Sequence, residues 1–95
     1  MISLLDIKDG ILDLIKNMNY KNFEYSIYEN HQSRSITLEI SQRPRLIQFN
    51  IWERNALETN VYNPIDGEID VKVYEEINLL QILEKITKLV EENLN

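Results

Sequence analysis

Ser35-Ile36-Thr37-Leu38-Glu39-Ile40-Ser41, then Gln42-Arg43-Pro44-Arg45, then Leu46-Ile47-Gln48-Phe49-Asn50-Ile51-Trp52, alternates apolar and polar side chains on both sides of a proline. A period of two marks a strand with one buried face, because successive side chains leave the pleat on opposite sides. Ile36, Leu38 and Ile40 form one inward row, and Ile47, Phe49 and Ile51 form another. Gln42 to Arg45 joins them as a turn, since proline fixes φ and has no amide to give to a central ladder.

The same period extends outward from this pair. Upstream, Phe23, Tyr25 and Ile27 alternate with Glu24, Ser26 and Tyr28, and the polar Asn30-His31-Gln32 makes a turn. Downstream, Arg54-Asn55 turns the chain into Leu57, Thr59 and Val61, with Glu58, Asn60 and Tyr62 opposite. Asn63-Pro64-Ile65-Asp66-Gly67 combines a proline with an Asp-Gly pair and is the strongest turn signal in the chain. Beyond it, Ile69, Val71 and Val73 are expected on the inward side of a fifth extended segment, with Asp70, Lys72 and Tyr74 on the other. Short turns between successive strands imply antiparallel pairing in chain order, a meander.

At both ends the period becomes helical. Leu4, Ile7, Ile11, Leu14, Ile15 and Met18 fall on one stripe, with Ser3 placed to cap the first amides and Asp6 three residues on. Gly10 lies within this helix and costs about 1 kcal/mol relative to Ala, which predicts a weaker or bent middle. From near residue 76, Leu79, Ile82, Leu83, Ile86, Leu89 and Val90 make a second stripe that ends near Asn93. Glu75-Glu76 and Glu91-Glu92 read most simply as the solvated ends of that helix, and the first pair also suits its N-terminus electrostatically. The expected fold is therefore α+β, one domain over 1–95. It has two layers, an antiparallel meander of four to five strands with the N- and C-terminal helices on one face. The other face is left open, with Trp52, Glu58, Tyr62, Asp70 and Tyr74 expected on it.

Composition removes most chemistries. At 95 residues the chain can build one core, and 43% apolar with 27% charged residues is too apolar for a disordered protein. Sixteen acids against ten bases oppose a nucleic-acid binder, whose affinity rests on neutralising phosphates. There is no cysteine, so disulfides, thiolate metal sites and a Cys nucleophile are excluded. The first residues have no basic start or cleavage pattern of an export signal, and no apolar run approaches about 18 residues. A cytoplasmic location is expected.

No constellation for catalysis stands out. His31 is the only histidine and sits in a turn without a nearby serine or acid motif, so a solvated turn residue is the plainer reading. Neither glycine belongs to a phosphate-cradling pattern. Arg34, Arg43, Arg45 and Arg54 resemble a basic patch, yet arginines at hairpin ends that keep sheet edges soluble explain them as well. No enzyme activity, cofactor, metal or small-molecule substrate is expected.

Residues 58–76 are more informative: six acids, Glu58, Asp66, Glu68, Asp70, Glu75 and Glu76, face only Lys72. With Trp52, Tyr62 and Tyr74 nearby, this matches the anatomy of a protein interface, in which rings supply buried area and charges steer encounter. Scattered exposed aromatics on a small protein are the plainer alternative.

The stretch from Leu46 through Ile51-Trp52-Glu53, Leu57 to Tyr62 and Gly67-Glu68-Ile69 resembles the TriTu family of immunity proteins from bacterial polymorphic toxin systems. The shared order is a strand ending in Ile-Trp-Glu, a short turn, a strand, a Gly-Glu turn, an extended piece and a C-terminal helix. Asn55-Ala56 stands where the family usually has glycine. The resemblance implies a non-enzymatic cytoplasmic antitoxin that blocks the active surface of a cognate toxin protein, often a basic nuclease in such systems. It carries no nucleic-acid or membrane partner, and a monomer is expected when free. The candidate toxin-binding residues are Trp52, Glu58, Tyr62, Asp66, Glu68, Asp70 and Tyr74. A small acidic secretion chaperone or adaptor for a protein client is the alternative.

Overall fold

The structure is a computed structural model that describes residues 1–18 and 21–95. In chain order the elements are α1 (Leu4–Asn17), β1 (Glu24–Asn30), β2 (Ser35–Gln42), β3 (Arg45–Trp52), β4 (Ala56–Tyr62), β5 (Ile69–Tyr74) and α2 (Leu79–Asn93). The five strands form one sheet in the order β1-β2-β3-β4-β5, each antiparallel to the next. This is the expected meander bracketed by helices.

Both helices begin where side chains can satisfy the free amides of the first turn. Ser3 Oγ accepts from the Asp6 amide at 3.0 Å. At α2, Asn78 Oδ1 accepts from the Gln81 amide at 2.8 Å while Gln81 Oε1 accepts from the Asn78 amide at 3.0 Å, a reciprocal capping box. Glu75 and Glu76 are solvated just before this helix, as expected, but it has no acid in its first turn, and a side-chain cap takes the place of the electrostatic role. Asn78→Ala should therefore lower stability by about 1 kcal/mol, read as a reduced urea midpoint at unchanged slope.

The α1 helix runs unbroken through Gly10, whose missing side chain has a packing reason. A Cβ built there would sit 3.2 Å from Leu83 Cδ1 of α2, so glycine lets the two helices approach closely. Ile7, Ile11 and Ile15 from α1 and Ile82, Ile86 and Val90 from α2 lie over the sheet rows Ile36-Leu38-Ile40, Ile47-Phe49-Ile51 and Leu57. The helices rest chiefly on the middle of the sheet, α1 against β2 and α2 against β3. Two helices packed about 8–10 Å apart span roughly four strands at about 4.8 Å each. An edge strand is consequently left with cover on the helix side only at its last residue.

That edge is β5, and there the structure overturns the expected facing. Residues opposite each other in an antiparallel pair share a face, and the observed partners are Tyr62↔Ile69, Asn60↔Val71 and Glu58↔Val73. Ile69, Val71 and Val73 therefore lie on the open face, while Asp70, Lys72 and Tyr74 stand with Val61, Thr59 and Leu57 on the helix side. The 63–68 turn sets this parity. The Asn63 amide donates to the Glu68 carbonyl at 2.8 Å and the Gly67 amide to the Asn63 carbonyl at 2.9 Å. Asn63 Oδ1 and Asp66 Oδ1 accept from the amides of Ile65 and Glu68 at 2.9 Å each. Gly67, at φ +74°, takes the left-handed conformation that glycine adopts without a Cβ penalty.

Candidate functional site

The open face of the sheet consists of four cross-strand rows. Asn30, Ser35, Trp52 and Ala56 make the first; Tyr28, Thr37, Asn50, Glu58 and Val73 the second. Ser26, Glu39, Gln48, Asn60 and Val71 make the third; Glu24, Ser41, Leu46, Tyr62 and Ile69 the fourth.

Its centre is polar and already ordered. Thr37 Oγ1 donates to Asn50 Oδ1 at 2.6 Å, and Asn50 Nδ2 donates to Glu58 Oε1 at 2.9 Å. Asn60 Nδ2 donates to the same carboxylate oxygen at 3.1 Å. Glu58 is thus held upright by two amides, and its Oε2 accepts no bond from the described residues. A carboxylate fixed in this way loses little side-chain freedom when a cation docks on it.

The flank on the β5 side is apolar. Ile69, Val71 and Val73 are 60%, 52% and 57% exposed, and Leu46 and the half-exposed Tyr62 extend this strip across the sheet. Asp66 and Glu68, in the exposed turn next to Tyr62 and Ile69, place two carboxylates at its end. Trp52 closes the opposite end of the face, with the Arg54 guanidinium 5.0 Å from its ring centroid. Six residue steps along β4 lead from Ala56, the partner of Trp52, to Tyr62, about 20 Å at the rise of an extended strand. The two expected anchors therefore mark opposite ends of one face.

Of the seven candidate residues, Trp52, Glu58 and Tyr62 are on the open face, and Asp66 and Glu68 are in the turn beside it. The other two are corrections. Tyr74 points to the helix side, where the Lys85 ammonium of α2 lies 4.4 Å over its ring and the ring packs against the core. Asp70 is on that same side, exposed at the sheet edge. Hydrophobic alternation predicts both on the open face, and the parity set by the 63–68 turn reverses this. The apolar triplet of β5 is the part of the face that alternation concealed.

A second arrangement joins the β1–β2 turn to the end of β3. Arg34 Nε and Nη2 donate to Glu53 Oε2 and Oε1, both at 2.9 Å, a two-pronged pair in which Glu53 is only 7% exposed. The backbone joins in, with the Glu53 amide donating to the Arg34 carbonyl at 3.0 Å and the Ile2 amide donating to the Glu53 carbonyl at 2.9 Å. One of the supposed hairpin-end arginines is thus a structural clamp, and the glutamate of the Trp-Glu pair fastens β3 to the N-terminus. Asn55, at φ +64°, takes the left-handed position expected of a glycine there. Its Nδ2 donates to the Ile77 carbonyl at 3.1 Å, and its own carbonyl accepts from the Ile77 amide at 3.0 Å.

His31 is exposed in the β1–β2 turn, with Nε2 3.8 Å from Glu29 Oε2. No helix among the described residues is long and apolar enough to cross a membrane. Comparison with protein-family models, curated proteins and solved structures gave no match.

Proposed function

We propose that this protein is a non-enzymatic immunity protein that binds a cognate toxin domain through the open face of its sheet, acting in the cytoplasm. The observation that carries the reading is the make-up of that face. An apolar strip from Leu46 to Val73 adjoins a prearranged Glu58 and the acidic Asp66-Gly67-Glu68 turn. Apolar area supplies the gain on docking, while the ordered carboxylates suit a basic partner such as a nuclease surface shaped to hold phosphate.

The test is titration of any toxin domain encoded by a neighbouring gene, by calorimetry and by protection of growing cells. Trp52→Ala and Tyr62→Ala, folded by circular dichroism, should each weaken binding by about 2 kcal/mol. Glu58→Gln should chiefly slow association and reduce its salt dependence. Unchanged affinity in both aromatic variants removes the face from consideration.

One feature favours a chaperone or adaptor instead. An apolar groove runs between α1 and α2, walled by Leu14, Leu80 and Leu83, and Leu80 is 67% exposed. Leu80→Ser separates the two readings: it leaves a face-bound toxin untouched and weakens a client helix held in the groove.

A further inference from the structure

The free edge of β5 is self-complementary, and we infer that two copies of this chain pair there, β5 against β5 in antiparallel register centred on Val71, to make a continuous ten-stranded sheet. β5 bonds only to β4, so its other edge presents unpaired backbone amides and carbonyls. Such an edge is a template for another strand unless it is blunted. A lysine turned toward the helix side is one usual blunting device, and Lys72 fits that description by itself. Asp70, two residues earlier on the same side, changes the outcome.

In a two-fold pairing about Val71, each residue meets the one whose number completes the same sum. Asp70 lies opposite Lys72 of the other copy, and Lys72 opposite its Asp70. On the other side of the sheet Ile69 meets Val73, and Val71 meets itself. Opposite charges and β-branched pairs directly across an antiparallel ladder both stabilise it. Neither Asp70 nor Lys72 has an ion-pair partner among the described residues, so both are available. The Ile69, Val71 and Val73 strips of the two copies would then adjoin on the open face. The opposite edge of the sheet lacks this property: two β1 strands centred on Ile27 would set Tyr25 against Glu29 and Ser26 against Tyr28. A contact that closes on a two-fold axis also stops at two copies on that edge, which limits fibre growth.

This pairing uses the strand edge and does not depend on the toxin reading. A six-residue strand pair is at the weak end of specific interfaces. The measurement is therefore sedimentation equilibrium of the full chain from about 1 μM to about 1 mM. The mass should rise from 11.3 kDa toward twice that value with concentration. Asp70→Lys alone and Lys72→Asp alone each place like charges opposite one another twice, and each should weaken the dimer by about tenfold or more. The double exchange, Asp70→Lys with Lys72→Asp, should restore wild-type association. An equimolar mixture of the two single variants should associate more tightly than either alone, since every facing pair is then opposite in sign. Both positions are exposed edge sites, and circular dichroism verifies the fold. A wild-type mass that stays at 11.3 kDa throughout overturns the inference and leaves the edge for a foreign strand. A dimer indifferent to the charge exchanges also overturns it, because another surface, such as the interhelical groove, must then hold the copies together.

Discussion

Phe49→Ala is expected to lower the stability of the domain by about 4 kcal/mol, the upper range for truncating a buried aromatic. Phe49 is at the middle of the middle strand, fully enclosed, with Leu38 and Thr59 as its cross-strand neighbours and Ile47 and Ile51 on either side of it. Both helices and the inward rows of three strands belong to the cluster around it. Removing its ring takes away the transfer free energy of the ring and leaves a void that these neighbours can fill only by shifting two helices. For a domain of this length the melting temperature should fall by about 20 °C, at some 4–8 °C per kcal/mol. Phe49→Leu, which keeps most of the volume, should lose less than half as much. A Phe49→Ala variant that melts within a few degrees of wild type would show that the helices do not close over this strand.

Arg34→Ala should lose about 3 kcal/mol, because it leaves the Glu53 carboxylate almost buried without its two donors. The Arg34 side chain is 62% exposed, which lets water take over part of its role and keeps the loss at the lower end for a broken pair. Two companion variants test the cause. Arg34 has a φ of +53°, so Arg34→Gly removes the same side chain while relieving the backbone, and should be about 1 kcal/mol more stable than Arg34→Ala. In a double-mutant cycle, Arg34→Ala with Glu53→Ala should lose clearly less than the sum of the single losses, since once the acid is gone the arginine has nothing to neutralise. Additive losses, measured by urea unfolding, would mean that the pair is incidental and that the backbone bonds around Glu53 do the fastening.

Much of the fold could be read from the order of residues because each element has a face that must leave water. The two helical stripes, the rows Ile36-Leu38-Ile40 and Ile47-Phe49-Ile51, the cap at Ser3 and the turn at Asn63 to Gly67 all appear where periodicity and turn chemistry put them. The candidate face was legible to the extent that β3 and β4 supply it, through Trp52, Glu58 and Tyr62. The Arg34-Glu53 clamp was not, since partners 19 residues apart meet only when the sheet brings the β1–β2 turn to the end of β3.

Local alternation determined, without any three-dimensional information, which residues form strands, which form helices, and which side of β2, β3 and β4 faces the core. Tertiary structure alone decided the facing of β5. Its alternation is as clean as that of the others, yet α2 reaches only its last residue, Tyr74, and both sides of Ile69 to Val73 stay exposed, so hydrophobic burial exerts little choice between the two parities. The six residues and hydrogen bonds of the 63–68 turn made that choice, exposing Ile69, Val71 and Val73 and carrying Asp70 and Tyr74 to the opposite side.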